Sequence, residues 1–190
     1  MKPTARIVVP RRIFLDTCAF QVLADCGGFI FDADEFPLPS DFRPGKCPQV
    51  VSRPDAREVL EPLRWIFRFD ERAHFDWIVS RKLLEEVDAG GDRYRSSYVR
   101  DIADHSWACL SDNPPTEYAD EVAAYIASPK CGFVSQKDKA LLVEAAAAGC
   151  DTFLTIEHRL PKVANSLLKQ VPLLIATPLW AILKPHVRGL

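Results

Sequence analysis

The sequence predicts an α/β fold with a mostly parallel central sheet, and three observations carry that reading. Short apolar, β-branched runs alternate with helical patterns along the whole chain. The clearest helix, DKALLVEAAAAG at 138–149, passes directly into the strand-like run CDTFLTI. The length of 190 residues, with 48% hydrophobic and 26% charged residues, suits one domain with a real core.

The elements follow in order. Arg6 to Leu15 reads RIVVPRRIFL, whose IFL is a buried-strand core ending at Asp16. TCAFQVLADC then reads as a short helix stopped by Gly27-Gly28. Residues 30–54 hold Pro37, Pro39, Pro44, Pro48 and Pro54, which block ladder and helix hydrogen bonds, so a loop or insertion rather than core is expected. From Asp55 to Phe67 the apolar residues Val59, Leu60, Leu63, Ile66 and Phe67 recur at helical spacing. FDWIVS at 75–80 reads as the second strand, and Ser80 is placed to cap the helix RKLLEEVDA. Gly90-Gly91 ends that helix, and a longer one is expected from about Arg93 to Leu110. EYADEVAAYIA follows Pro114-Pro115 as another helix. The helix 138–149 has strong formers throughout and Gly149 at its stop. A helix near 161–169 and a last short strand around Pro172 to Ala176 complete the chain.

Net charge is −2 and the pI near 6.1, which excludes a function resting on a strongly basic surface. The six cysteines lack any C-x-x-C spacing, so neither a structural zinc nor a disulfide framework is expected, and the thiols read as reduced and cytoplasmic. Arg11-Arg12 before IFLDTCAFQVLADC imitates an export signal, but Asp16 lies inside the stretch that would have to be uncharged. Val171 to Leu183 is too short for a membrane span and carries two prolines.

Ligand sites of parallel sheets form beyond the carboxyl ends of the strands. Asp16 ends RIFL there, and Glu157 follows FLTI by way of Thr155. Glu86 and Asp138 open or line the helices nearby. Four converging carboxylates repel one another unless a divalent cation neutralises them, and hard oxygen donors select Mg²⁺ or Mn²⁺. Glu85 competes with Glu86. On the helical wheel Glu86 lies roughly 105° from the centre of the Leu83–Leu84–Val87 stripe and Glu85 about 155° away, so Glu86 is the ligand candidate. Asp138 is also explained as an N-cap or first-turn acid, and Asp151 as a turn residue. Arg81, Lys82, Arg93, Arg95 and Arg100 are candidates for a phosphate groove, with scattered surface cations as the plainer reading.

IFLDTCAF, IVSRKLLEEV, KDKALLVEAAAAGCDTFLTIEHRL and LLIATPLWAIL, in that order, resemble the successive blocks of PIN-domain nucleases over nearly the whole chain. That resemblance implies a three-layer α/β/α sandwich and an acidic quartet of Asp16, Glu86, Asp138 and Glu157, supported by hydroxyls of Thr17 and Thr155. It implies Mg²⁺- or Mn²⁺-dependent endoribonuclease activity, hydrolysing phosphodiester bonds with metal-activated water. It also implies a toxin–antitoxin setting, with RNA as substrate and an antitoxin protein and a second copy as partners. Two positions depart from the family pattern: Cys18 stands where Asn is usual, and Glu157 where Asp is more frequent. Those departures motivate the alternative, a non-catalytic PIN-like module binding RNA or a protein. A phosphatase of the haloacid-dehalogenase type needs a carboxylate where Cys18 stands.

Overall fold

A computed structural model describes residues 11–32, 34–80, 119–132, 134–157 and 174–176, together with Leu83, Glu85, Asp88, Ala89, Ser97, Ala108 and Cys109. In chain order the elements are β1 (Arg12–Leu15), α1 (Thr17–Asp25), α2 (Gly27–Phe31), α3 (Ala56–Ala73), β2 (Asp76–Val79), β3 (Ala108–Cys109), α4 (Ala119–Ala127), α5 (Gln136–Ala147), β4 (Thr152–Leu154) and β5 (Leu174–Ala176).

The five strands form one sheet in the order β3-β2-β1-β4-β5, and every pairing is parallel. The expected α/β class with a parallel sheet is therefore present. The strand interiors IFL and WIV are continuously apolar, and TFL is apolar after a buried Thr152, because both sheet faces are covered. Ile13, Leu15, Trp77, Val79 and Leu154 point to one face, where they meet Phe20, Leu23, Ile30, Leu60, Leu63 and Ile66 of α1–α3. Phe14, Ile78 and Phe153 point to the other and meet Ile126 of α4 and Leu141, Leu142 and Ala145 of α5. Phe14 and Phe153 stack across β1 and β4 with ring centroids 5.3 Å apart, and Phe67 stacks on Trp77 at 4.6 Å. Asp151 fixes how the two central strands begin: its carboxylate accepts the amides of Arg11 (2.7 Å) and Arg12 (3.2 Å).

Several boundaries differ from the sequence reading. Gly27-Gly28 does not simply stop a helix; the chain turns at Cys26 and the glycines begin α2. A Cβ on Gly28 would meet only the side chain of Asp34, an exposed residue whose carboxylate end can swing aside. Helix α3 runs on past Phe67 to Ala73 and tolerates Pro62 inside it, and His74, at φ 50°, takes the left-handed turn after it. Ala108–Cys109, read as the end of a long helix, is a strand on the outer side of β2, paired Ile78↔Ala108 and Val79↔Cys109. Ladder pairing with a neighbour remote in sequence has overridden local helical spacing there.

The stretch 30–54 is irregular as expected, apart from the end of α2 and a 3₁₀ turn at Pro39–Asp41, but part of it is core. Val50 and Val51 are buried, and Phe36, Phe42 and Cys47 pack against the same cluster. Prolines forbid regular ladders without forbidding side-chain burial, and local turns such as Val51 N–H to Pro48 C=O (3.0 Å) satisfy the backbone instead.

Candidate functional site

Asp16 stands at the carboxyl end of the central strand. Its amide continues the ladder to Leu154 C=O at 3.0 Å, and its carbonyl accepts Phe20 N–H at 2.9 Å as α1 begins. Continued to the strand ends, the β1–β2 and β1–β4 registers place Asp16 between Ser80 and Thr155. All three side chains are buried and share the α5 side of the sheet, by alternation from Phe14, Ile78 and Phe153.

Asp16 is the N-cap of α1 by position, yet its side chain makes no capping hydrogen bond. Its Oδ2 accepts the Thr155 hydroxyl at 2.6 Å and the Cys18 thiol at 2.8 Å. Thr155 Oγ1 and Cys18 Sγ also lie 3.3 Å apart, closing a triangle around that oxygen. Burial pushes the Asp16 carboxyl above the usual carboxylate range. Hydrogen bonds from Cys18, Thr155 and the Thr17 backbone amide pull it partly back, while the charge of Asp138 adds to the upward push. The Cys18 thiol is itself pushed upward, by burial first and then by the Asp16 charge, so it stays protonated and acts as a donor.

Asp138 reaches the same neighbourhood because α5 runs against the strands and starts over their carboxyl ends. Ser135 caps this helix: its Oγ accepts Asp138 N–H at 3.1 Å and donates to Asp138 Oδ2 at 2.7 Å. Asp138 is thus a first-turn acid whose charge also reaches Asp16. Gly149, at φ 68°, closes α5 as expected: Gly149 N–H reaches Ala146 C=O and Cys150 N–H reaches Ala145 C=O, each at 3.0 Å. That closure returns the chain directly into β4, whose end carries Thr155. Glu157 is exposed beyond it, and its amide donates to Thr155 Oγ1 at 3.1 Å.

The structure therefore brings together Asp16, Thr155 and, electrostatically, Asp138, with Glu157 exposed just beyond Thr155 and Thr17 contributing its backbone amide. Glu86 lies outside the described residues, as do the helix expected at 161–169 and the cations Arg81, Lys82, Arg93, Arg95 and Arg100. Its neighbours follow the wheel, with Leu83 buried and Glu85 exposed. Among the described residues no group of three or more His, Cys, Asp or Glu is placed to hold a metal ion.

Two residues were not anticipated in these roles. Cys18, noted as a departure, donates its thiol to Asp16 Oδ2. Glu144 of α5 accepts the Ser80 hydroxyl through Oε2 at 2.7 Å, beside the same row of strand ends. Its signal in the sequence is slight: a single carboxylate between Val143 and the alanines 145–148. Cys18, Cys26, Cys47, Cys131 and Cys150 are all free thiols. Among the described residues no helix is long and apolar enough to cross a membrane. No family model, curated protein or solved structure matches the chain.

Proposed function

We propose that this chain is a divalent-metal-dependent endoribonuclease with a PIN-like three-layer α/β/α sandwich. The observation that carries the reading is Asp16. It is a carboxylate 6% exposed, at the carboxyl end of the central parallel strand, held by two side-chain donors and reached by the charge of a second acid, Asp138. A fold does not bury a charge beside a like charge for stability, and such sites are characteristic of function. Helices packed on both sheet faces suit the three layers.

The donor chemistry fits a hard divalent cation. Asp16 and Asp138 offer carboxylate oxygens, and Glu86 and Glu157 complete the proposed set for Mg²⁺ or Mn²⁺. When bound, the cation would offset the repulsion between the acids, activate water and stabilise charge on the phosphate. Thr155 and Cys18 fix the Asp16 carboxylate in one orientation by occupying Oδ2, and Ser135 does the same for Asp138 through its own Oδ2. The resemblance extends the proposal to a cytoplasmic toxin component held inactive by an antitoxin protein, and to assembly as a homodimer.

The test is cleavage of single-stranded RNA with Mg²⁺, Mn²⁺ or EDTA by wild type, Asp16→Asn and Asp138→Asn. Metal-dependent cutting by wild type, lost in both variants, is expected. Equal activity in all three proteins would sink the mechanism. Binding of RNA without cutting would select the non-catalytic module.

A further inference from the structure

A cleft of about 960 Å³ lies between α1 and residues 45–55, at the upper end of the size range of small-ligand sites. Cys18 and Ile156 are part of its wall. The first donates to Asp16, and the second sits between Thr155 and Glu157. Whatever fills the cleft therefore lies one side chain away from the proposed reaction centre.

Its lining is specific in kind. Val22, Val50 and Ile156 supply apolar surface. Gln21 projects from α1, and Gln49 and Lys46 come from the opposite segment. The side chains of these three polar residues make no hydrogen bond or ion pair with another described residue. Arg53 and Asp55, in contrast, are tied to each other by two hydrogen bonds of 2.9 and 2.7 Å. The chemistry on offer is two carboxamides, each able to donate and accept together, apolar surface between them, and one ammonium group, with the Asp25 carboxylate, which has a partner of its own, at the α1 end of the wall. A planar, uncharged, hydrogen-bonding ring with a phosphate attached is complementary to that set. A base paired inside an A-form duplex cannot enter such a cleft, whereas an unpaired base can be splayed into it.

We propose that this cleft seats an unpaired nucleobase of the RNA strand beside the bond to be cut, with Gln21 and Gln49 reading its edge and Lys46 meeting a flanking phosphate. The proposal rests on the ribonuclease reading and adds a sequence preference to it. Pro48 and Pro54 of the 30–54 stretch thereby gain a purpose, since they are part of one wall.

Two readouts test it: cleavage sites mapped on a random single-stranded RNA pool with Mn²⁺, and binding of labelled A, C, G and U tetranucleotides in EDTA. Wild type is expected to prefer one base beside the cut and to bind one tetranucleotide best. The Gln21→Ala/Gln49→Ala double variant should lose that preference by about fivefold to a hundredfold. Lys46→Ala should weaken all four tetranucleotides alike. Base preference unchanged in the double variant, or absent from wild type in both readouts, overturns the proposal. So does a cleft that takes only peptide. If the double variant fails to melt cooperatively, Gln49→Ala alone, at an exposed position, replaces it under the same criteria. Tetranucleotide discrimination without any cutting by wild type would refute the ribonuclease reading and leave the cleft assignment standing.

Discussion

Thr155 and Thr152 lie three residues apart, both are fully buried, and they should respond oppositely to the same substitution. Thr155 Oγ1 donates to the Asp16 carboxylate at 2.6 Å. Thr155→Val keeps the shape and removes that bond, and a hydrogen bond to a charged group is worth about 1.5–3 kcal/mol. The Glu157 amide also loses its acceptor, but beside an exposed residue water replaces it at little cost. The expected destabilisation in EDTA at pH 8 is about 2–3 kcal/mol, which lowers Tm by roughly 4–12 °C in a chain of this size. The Thr152 hydroxyl has no partner among the described residues. Its burial costs about 1–3 kcal/mol, so Thr152→Val should be neutral or stabilising. The pH dependence follows from Asp16, whose carboxyl is already raised by burial. Losing a donor to the charged form raises it further. The penalty of Thr155→Val then grows as pH rises through that range, and shrinks to about 1 kcal/mol where the carboxyl is protonated in both states. Urea unfolding of both variants along a pH series, from below the ordinary Asp range up to pH 8, measures these quantities. A Thr152→Val penalty as large as that of Thr155→Val would refute the geometry, as would a Thr155→Val penalty independent of pH.

Three further outcomes are expected. Because the raised Asp16 carboxyl makes metal-free wild type lose stability as pH rises through its titration, Asp16→Asn should have the higher Tm in EDTA at pH 8 and lack that loss; a lower Tm would mean the charge is not strained. Val51→Ala, at 5% exposure, should cost about 1.5–3 kcal/mol in urea unfolding, whereas Leu38→Ala, at 54%, should change stability by less than about 0.5 kcal/mol. Equal values would remove the proline-rich stretch from the core. Gly149→Ala forces a side chain into φ 68° and should cost about 1–2 kcal/mol, read from the thermal midpoint.

The sequence alone determined the alternation of elements, the parallel class, the strand ends at Asp16 and Thr155, and the capped and glycine-closed α5. Each is a short-range property: apolar runs, an acid at a helix start, a glycine after a helix. What faces what was decided only by the tertiary structure. Asp16 and Thr155 are 139 positions apart and meet through the β1–β4 register. Cys18 looks like a defect in a motif until α1 turns its thiol onto Asp16. Ala108–Cys109 reads as helix until β2 offers it an unpaired edge, and Val50 and Val51 read as loop until the helices around them supply a core. Burial, register and the shift of a buried carboxyl depend on neighbours remote in the chain, and local patterning carries no record of those.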